Sequence, residues 1–116
     1  MVSKAQIDGI VQAIVENYQP EKVILFGSYA AGTAGEDSDL DLAIIKSTIA
    51  PSHKRGAEVR KAIRQNGQVY YFSKDILVFT PKEMEQLKND QYSIVYEILK
   101  NGKTLYERST PARLAN

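Results

Sequence analysis

The stretch ILFGSYAAGTAGEDSDLDLAII, residues 24–45, decides how this chain folds. It begins and ends with apolar runs typical of buried strands, and a glycine-rich loop joins the two runs. Asp39 and Asp41 lie in the second run, and strand alternation predicts that they share one face with Cα atoms about 6.5–7 Å apart. Two neighbouring carboxylates repel each other, and their burial is costly without compensation. The pattern therefore indicates a bound cation.

Length and composition limit what the whole chain can be. Its 116 residues suit one domain over 1–116, with a core at about 5–107 and a frayed tail at 108–116. Lysine and arginine number 15 against 14 acids, a weaker basic balance than duplex-binding proteins show, so we expect no direct nucleic-acid partner. The chain has no cysteine, no signal peptide and no apolar run of about 20 residues. We therefore expect a cytoplasmic protein that does not bind a membrane.

Hydrophobic periodicity and turn signals predict a mixed order of helices and strands. The predicted helices cover 3–18, 28–32, 52–66, a segment beginning at Pro81, and 92–102. The predicted strands cover 22–26, 39–45, 75–80 and an edge strand at 103–107. The predicted fold class is α/β (α+β), with a small mixed β-sheet flanked by helices.

Two common ligand-binding motifs resemble the central stretch and are excluded. The spacing G-x-x-x-x-G from residue 27 imitates a phosphate-binding P-loop, but the lysine that must follow it is missing. Asp37, Asp39 and Asp41 imitate positions 1, 3 and 5 of a calcium loop. However, Leu42 stands where that loop needs glycine and Thr48 where it needs glutamate. Neither motif explains the stretch.

What remains is Gly-Ser, ten residues, and Asp-x-Asp. Paired carboxylates suit Mg²⁺, which usually binds one or two of them together with substrate phosphates. Gly27 and Ser28 form a turn whose backbone N–H groups and hydroxyl can bind phosphate oxygens, and the absence of a Cβ at Gly27 permits close approach. A plain helix cap is the alternative interpretation of Ser28.

This signature, Gly27-Ser28 followed by Asp39 and Asp41, resembles the nucleotidyltransferase superfamily that includes DNA polymerase beta. It is most similar to the minimal nucleotidyltransferase (MNT) branch, whose pattern is GS-x10-DxD, and the likeness in element order covers roughly 5–107. The resemblance implies the nucleotidyltransferase fold and a third carboxylate on a later strand. Asp75, in KDILVFTPKE, is the candidate for that carboxylate, although it could simply open its strand.

The resemblance also implies a chemistry for these residues. Asp39, Asp41 and Asp75 would be the catalytic residues and would hold two Mg²⁺ ions, while Gly27 and Ser28 would bind the nucleotide. ATP would be the substrate, and its AMP would pass to a hydroxyl acceptor. The MNT branch resembles the antitoxin half of HEPN/MNT pairs, which implies transfer to a tyrosine of a HEPN-type toxin. A core this small also makes a homodimer plausible.

Two alternatives stay open at this point. The chain could be a nucleotide-binding module that neutralises a partner by contact, or it could adenylylate a small molecule such as an aminoglycoside. Ala31 stands where family members often carry arginine, and Lys46, Lys74 or His53 could replace that cation. The predicted helix at 52–66 also carries a basic face that we expect to be solvated, formed by Lys54, Arg55, Arg60, Lys61 and Arg64.

Overall fold

The computed structural model of the protein describes residues 1–109, so most of the tail predicted to fray lies outside the described residues. The helices are α1 (Lys4–Tyr18), α2 (Gly27–Ala31), α3 (Ser52–Arg64), α4 (Pro81–Leu87) and α5 (Ile94–Asn101). The strands are β1 (Lys22–Phe26), β2 (Leu40–Ile45), β3 (Lys74–Phe79) and β4 (Lys103–Glu107). The predicted class, a mixed sheet flanked by helices, is confirmed.

The four strands form one sheet in the order β3-β2-β1-β4. β1 lies antiparallel to both β2 and β4, whereas β2 and β3 run parallel. Parallel neighbours need a crossover connection, and α3 provides it by crossing one face of the sheet between β2 and β3. The end of β1 and the starts of β2 and β3 therefore meet at the same edge of the sheet.

Helices cover both faces of the sheet and bury two separate cores. α1 and α3 pack on one face over a core that includes Ile10, Ile14, Leu40, Leu42, Ile44, Val59 and Ile63. α5 and α4 cover the other face over a smaller core of Ile24, Phe26, Ala43, Ile45 and Ile98, with Leu77, Phe79 and Met84 at its margin. The smaller core lies on the same face of β2 as Asp41, because side chains two residues apart share a face.

Capping groups explain where the helices begin. Ser3 accepts a hydrogen bond from the Gln6 N–H and the Gln6 side chain accepts one from the Ser3 N–H, which is a capping box. Thr80 and Glu83 form a second capping box at α4, where Pro81 occupies the first helical position. The predicted starts of α1 and α4 are confirmed to within one residue.

Arg55 corrects the prediction of a solvated basic face on α3. Its side chain is buried, and it donates hydrogen bonds to the carbonyl oxygens of Ala50 and Val78. It also forms a 2.7 Å ion pair with Glu83 of α4. A buried guanidinium needs such partners because its uncompensated burial is costly. Arg55 therefore joins α3 to β3 and α4, and only the remaining cations of the helix face solvent.

None of the helices within residues 1–109 is long and apolar enough to cross a membrane.

Candidate active site

The sheet register brings two of the predicted acidic residues together. Asp41 on β2 lies directly opposite Asp75 on β3, and on its other side it lies opposite Phe26, the last residue of β1. Residues paired in register on neighbouring strands point to the same face of the sheet. Asp41 and Asp75 therefore face the same way at the sheet edge where β1 ends in Gly27.

The prediction that Asp39 lies in the second strand is wrong by one residue. β2 begins at Leu40, whose N–H donates to the carbonyl oxygen of Ser73, so Asp39 belongs to the preceding loop. The pKa of Asp41 is raised by burial, then by the negative charge of Asp75 and then by that of Asp39. The loop thus still holds Asp39 near enough to Asp41 for their charges to interact.

The carboxylates form an open arrangement. Asp41 is partly buried, whereas Asp39 and Asp75 are exposed. In residues 1–109 no three acidic, histidine or cysteine side chains converge tightly enough to enclose a metal ion by themselves. An open set of carboxylate oxygens nevertheless fits Mg²⁺, which takes few ligands from the protein and completes its shell with water and substrate phosphates. The carboxylate oxygens therefore fit a magnesium ion whose other ligands come from a bound nucleotide and from water.

Gly27 allows the chain to bend directly over the Asp41 carboxylate. Its φ is +71°, and a Cβ built on it would overlap Oδ2 of Asp41 and lie 3.0 Å from Cγ. The sequence predicts a phosphate in this space, but the Asp41 side chain occupies it. The need for glycine is confirmed, although for a different reason. The bend and the central carboxylate pack together as one unit.

Ser28 does not cap the short helix α2. The residue at the N-cap position is Phe26, which makes no side-chain capping hydrogen bond, so the interpretation of Ser28 as a cap is wrong. Within residues 1–109 the Ser28 hydroxyl forms no hydrogen bond, and the residue is only partly buried. This hydroxyl is therefore available to a ligand beside Asp41.

The cations considered as substitutes for the missing arginine lie elsewhere. Lys46 follows the opposite end of β2 and donates to the carbonyl oxygens of Tyr18 and Gln19. Lys74 donates to two carbonyl oxygens of the loop before β3, and its side chain projects to the sheet face opposite Asp75. His53 is exposed at the start of α3, which follows the far end of β2.

A hollow of about 300 Å³ lies beside the loop that carries Asp39. Its lining includes Glu36, Asp37 and Tyr29, whose hydroxyl accepts a hydrogen bond from the Val2 N–H. The two acids make this hollow unsuited to a phosphate. A single tyrosine after Gly-Ser carries no sequence signal for a hydrogen bond with the N-terminal segment, so Tyr29 could not be predicted as a residue of this region.

Comparison with known proteins supports the same fold. The chain matches the model of the family "Polymerase beta, Nucleotidyltransferase" over residues 9–111. No curated protein matches it in sequence.

Several solved structures are similar in fold. A toxin–antitoxin complex with AMP-PNP matches at a TM-score of 0.60 and 19% identity, covering 92% of this chain and 77% of that one. A nucleotidyltransferase candidate from Sulfolobus solfataricus matches at 0.55 and 17%, covering 91% and 90%. A complex of tri-AMPylated Shewanella oneidensis HEPN toxin with MNT antitoxin matches at 0.52 and 17%, covering 92% and 74%. At these identities the likeness concerns the fold. Because the family match spans most of the sequence, this chain belongs to the polymerase beta nucleotidyltransferase family, the class of enzyme that the Gly-Ser and Asp-x-Asp signature indicates.

Proposed function

We propose that this chain transfers AMP from ATP to a tyrosine hydroxyl of a HEPN-type partner protein and thereby acts as an antitoxin. The observation that carries the proposal is the register that sets Asp41 opposite Asp75 beside the Gly27 bend. Two similar structures support the choice of nucleotide and partner. One is a toxin–antitoxin complex with AMP-PNP, and the other contains a tri-AMPylated HEPN toxin with an MNT antitoxin.

Asp39, Asp41 and Asp75 are the residues that would hold Mg²⁺, with two ions shared among them. Their oxygen donors suit the ion, and the raised pKa of Asp41 reflects burial and negative charge that a cation would offset. When bound, magnesium neutralises phosphate charge and makes the acceptor hydroxyl easier to deprotonate. We therefore place one Mg²⁺-dependent site where the end of β1 meets the starts of β2 and β3.

The chain's own groups divide the remaining work. The N–H groups of the Gly27-Ser28 bend and the free Ser28 hydroxyl bind phosphate oxygens and orient the triphosphate. Asp75 accepts the proton of the acceptor hydroxyl. The hydroxyl oxygen then forms a bond to the α-phosphorus, the bond from that phosphorus to the bridging oxygen breaks, and pyrophosphate leaves.

The openness of the site favours a protein as the acceptor. Asp75 is exposed and stands on β3, an edge strand of the sheet, so a side chain of another folded protein can reach it. A small acceptor would instead need an enclosing pocket that buries most of its surface. A tyrosine presented by a partner supplies its own positioning surface, which compensates for the small size of this chain.

The test is transfer of label from α-³²P-ATP to a purified HEPN-type partner in the presence of Mg²⁺. Asp41→Asn should lower the rate at least about a hundredfold, the loss typical of removing one electrostatic group from a catalytic site. Asp37→Asn is the matched control, because Asp37 is an exposed acid of the same loop and lies among the ten residues that the signature leaves unspecified. Full activity of Asp41→Asn would contradict the assignment.

Ala31 favours a second candidate function, neutralisation of the partner by contact without transfer. The arginine common in the family would add a cation near the phosphates, and its absence weakens nucleotide binding by the chain alone. The same experiment separates the two functions, because a stable complex that carries no label supports contact alone. Label on an added aminoglycoside, and none on the protein, would instead support a small-molecule acceptor.

A further inference from the structure

A second concave site, which we call the basic hollow, lies on the other side of the sheet from Asp75. It is a space of about 240 Å³ between the end of α3, the start of β3 and the loop at 65–73. Its polar lining consists of Arg60, Arg64, Gln68, Tyr70 and Lys74. Three of these five side chains are cationic, and none is acidic.

The three cations are not neutralised by the rest of the chain as far as residue 109. The ion pairs formed there join other residues, and no carboxylate lies within ion-pair distance of Arg60, Arg64 or Lys74. Arg60 and Lys74 line the same hollow and carry like charges, so they repel each other. An anion in the hollow would relieve this repulsion.

The fold brings the three cations to one place, with Arg60 and Arg64 exposed and Lys74 partly buried. The Lys74 ammonium donates to the carbonyl oxygens of Tyr70 and Phe72, each at 3.2 Å, so it stays at the hollow instead of extending into solvent. Arg60 and Arg64 are four residues apart on α3 and therefore share one helix face. A cation in the last turn of a helix, such as Arg64, is stabilised by the helix dipole and needs no further explanation. The dipole does not explain why Arg60 and Lys74 line the same hollow.

We propose that the basic hollow binds a phosphate group. Guanidinium pairs match the geometry of phosphate oxygens, and the hollow is smaller than the roughly 300–1,000 Å³ of sites that enclose drug-sized ligands. It therefore suits a free phosphate or the phosphate of a larger molecule whose remainder stays outside. Lys74 and Asp75 are consecutive in β3 and project to opposite faces, so the hollow is separate from the carboxylate site. Phosphate binding here needs neither magnesium nor ATP.

The experiment measures binding of inorganic phosphate by calorimetry, in EDTA and in an Asp41→Asn background. These conditions remove magnesium and its central ligand, and phosphate bound at the Gly27-Ser28 bend would not respond to Arg60. The outcome is therefore independent of whether the chain transfers AMP. Arg60→Gln should weaken phosphate binding roughly tenfold or more, as expected for loss of a charge-assisted hydrogen bond. Lys61→Gln is the matched control, since Lys61 is an exposed neighbour on the same helix that does not line the hollow.

Each outcome decides the matter. A tenfold loss in Arg60→Gln with unchanged affinity in Lys61→Gln supports the site, provided that circular dichroism shows both variants folded. Absence of measurable phosphate binding, or an equal loss in the two variants, overturns it. A short single-stranded RNA tested in parallel identifies the source of the phosphate. Tighter, salt-sensitive binding of the RNA that also depends on Arg60 assigns it to a nucleic-acid backbone, and otherwise the ligand is a small phosphate.

Discussion

Replacement of Gly27 by alanine tests whether the bend and the central carboxylate form one unit. Gly27 and Gly32 stand at the two ends of α2 with nearly equal positive φ values, +71° and +76°. A Cβ on Gly27 would overlap the Asp41 carboxylate, whereas nothing lies within 4 Å of a Cβ on Gly32. Gly32→Ala is therefore a control that carries the same backbone strain without the overlap.

The expected losses follow from these two contributions. An alanine held at positive φ costs about 1 kcal/mol, and this applies to both variants. Overlap with packed atoms adds roughly 1–3 kcal/mol at Gly27 alone. The free energy of unfolding should thus fall by about 1 kcal/mol in Gly32→Ala and by about 2–4 kcal/mol in Gly27→Ala. The corresponding decreases in melting temperature are about 4 °C and about 8–16 °C for a chain of this size.

Urea unfolding in EDTA, followed by circular dichroism, measures both losses. Asp41→Ala removes the carboxylate and leaves only the contact of 3.3 Å with the Cβ of residue 41, so in that background the cost of Gly27→Ala should fall close to that of Gly32→Ala. Equal losses for the two single variants would refute the reasoning. So would a Gly27→Ala penalty that persists unchanged when the carboxylate of Asp41 is absent.

Three further predictions concern charge and packing. Burial and the neighbouring carboxylates raise the pKa of Asp41, so its ionised form destabilises the fold at neutral pH. Asp41→Asn should therefore raise the melting temperature in EDTA. Addition of Mg²⁺ should raise the melting temperature of the unmodified chain and leave that of Asp41→Asn unchanged. The hydrogen bond from Arg55 lowers the pKa of Glu83, so its contribution is present above about pH 4.3 and is lost as pH falls through the lower folded pKa. Glu83→Gln should therefore be less stable by about 1–2 kcal/mol at neutral pH. The two urea midpoints should converge as the pH falls below the lowered folded pKa of Glu83. A difference between the midpoints that stays the same from neutral to acid pH would contradict this. A Cβ on Gly102 would overlap the carbonyl oxygen of Ile98 and lie 2.6 Å from Cγ2 of Ile24. Gly102→Ala should therefore lower the free energy of unfolding by roughly 2 kcal/mol, and an unchanged urea midpoint would contradict this.

The sequence predicts individual elements well where the deciding signals are local. The predicted strands at 22–26 and 103–107 coincide with β1 and β4, and capping residues mark the starts of α1 and α4. The start of β2 depends instead on a neighbouring strand, because its first register pair joins Leu40 to Lys74. Asp39 has no such partner and remains in the loop. A boundary set by pairing cannot be read from one strand alone.

Other features depend on contacts between distant parts of the chain. The sequence of α3 has the same amphipathic pattern whether Arg55 faces water or another helix. Arg55 is buried in the structure, where Glu83 of α4 forms an ion pair with it. The opposition of Asp41 and Asp75 likewise follows from the parallel pairing of β2 with β3, which alternation within either strand does not indicate. The sequence could name the residues of the candidate site, but their arrangement comes from the topology of the sheet.

The three acids differ in how closely the rest of the chain packs around them. Asp41 lies on an inner strand and packs against the Gly27 bend. Asp39 and Asp75 are exposed to solvent. Surface substitutions of this kind usually change stability by no more than about 0.5 kcal/mol. Substitution of Asp39 and Asp75 during evolution can therefore remove the catalytic activity of such a chain while the protein still folds. Descendants of this kind would keep the fold and survive as binding partners, and the glycine with positive φ at position 27 would be the remaining trace of their ancestry as enzymes.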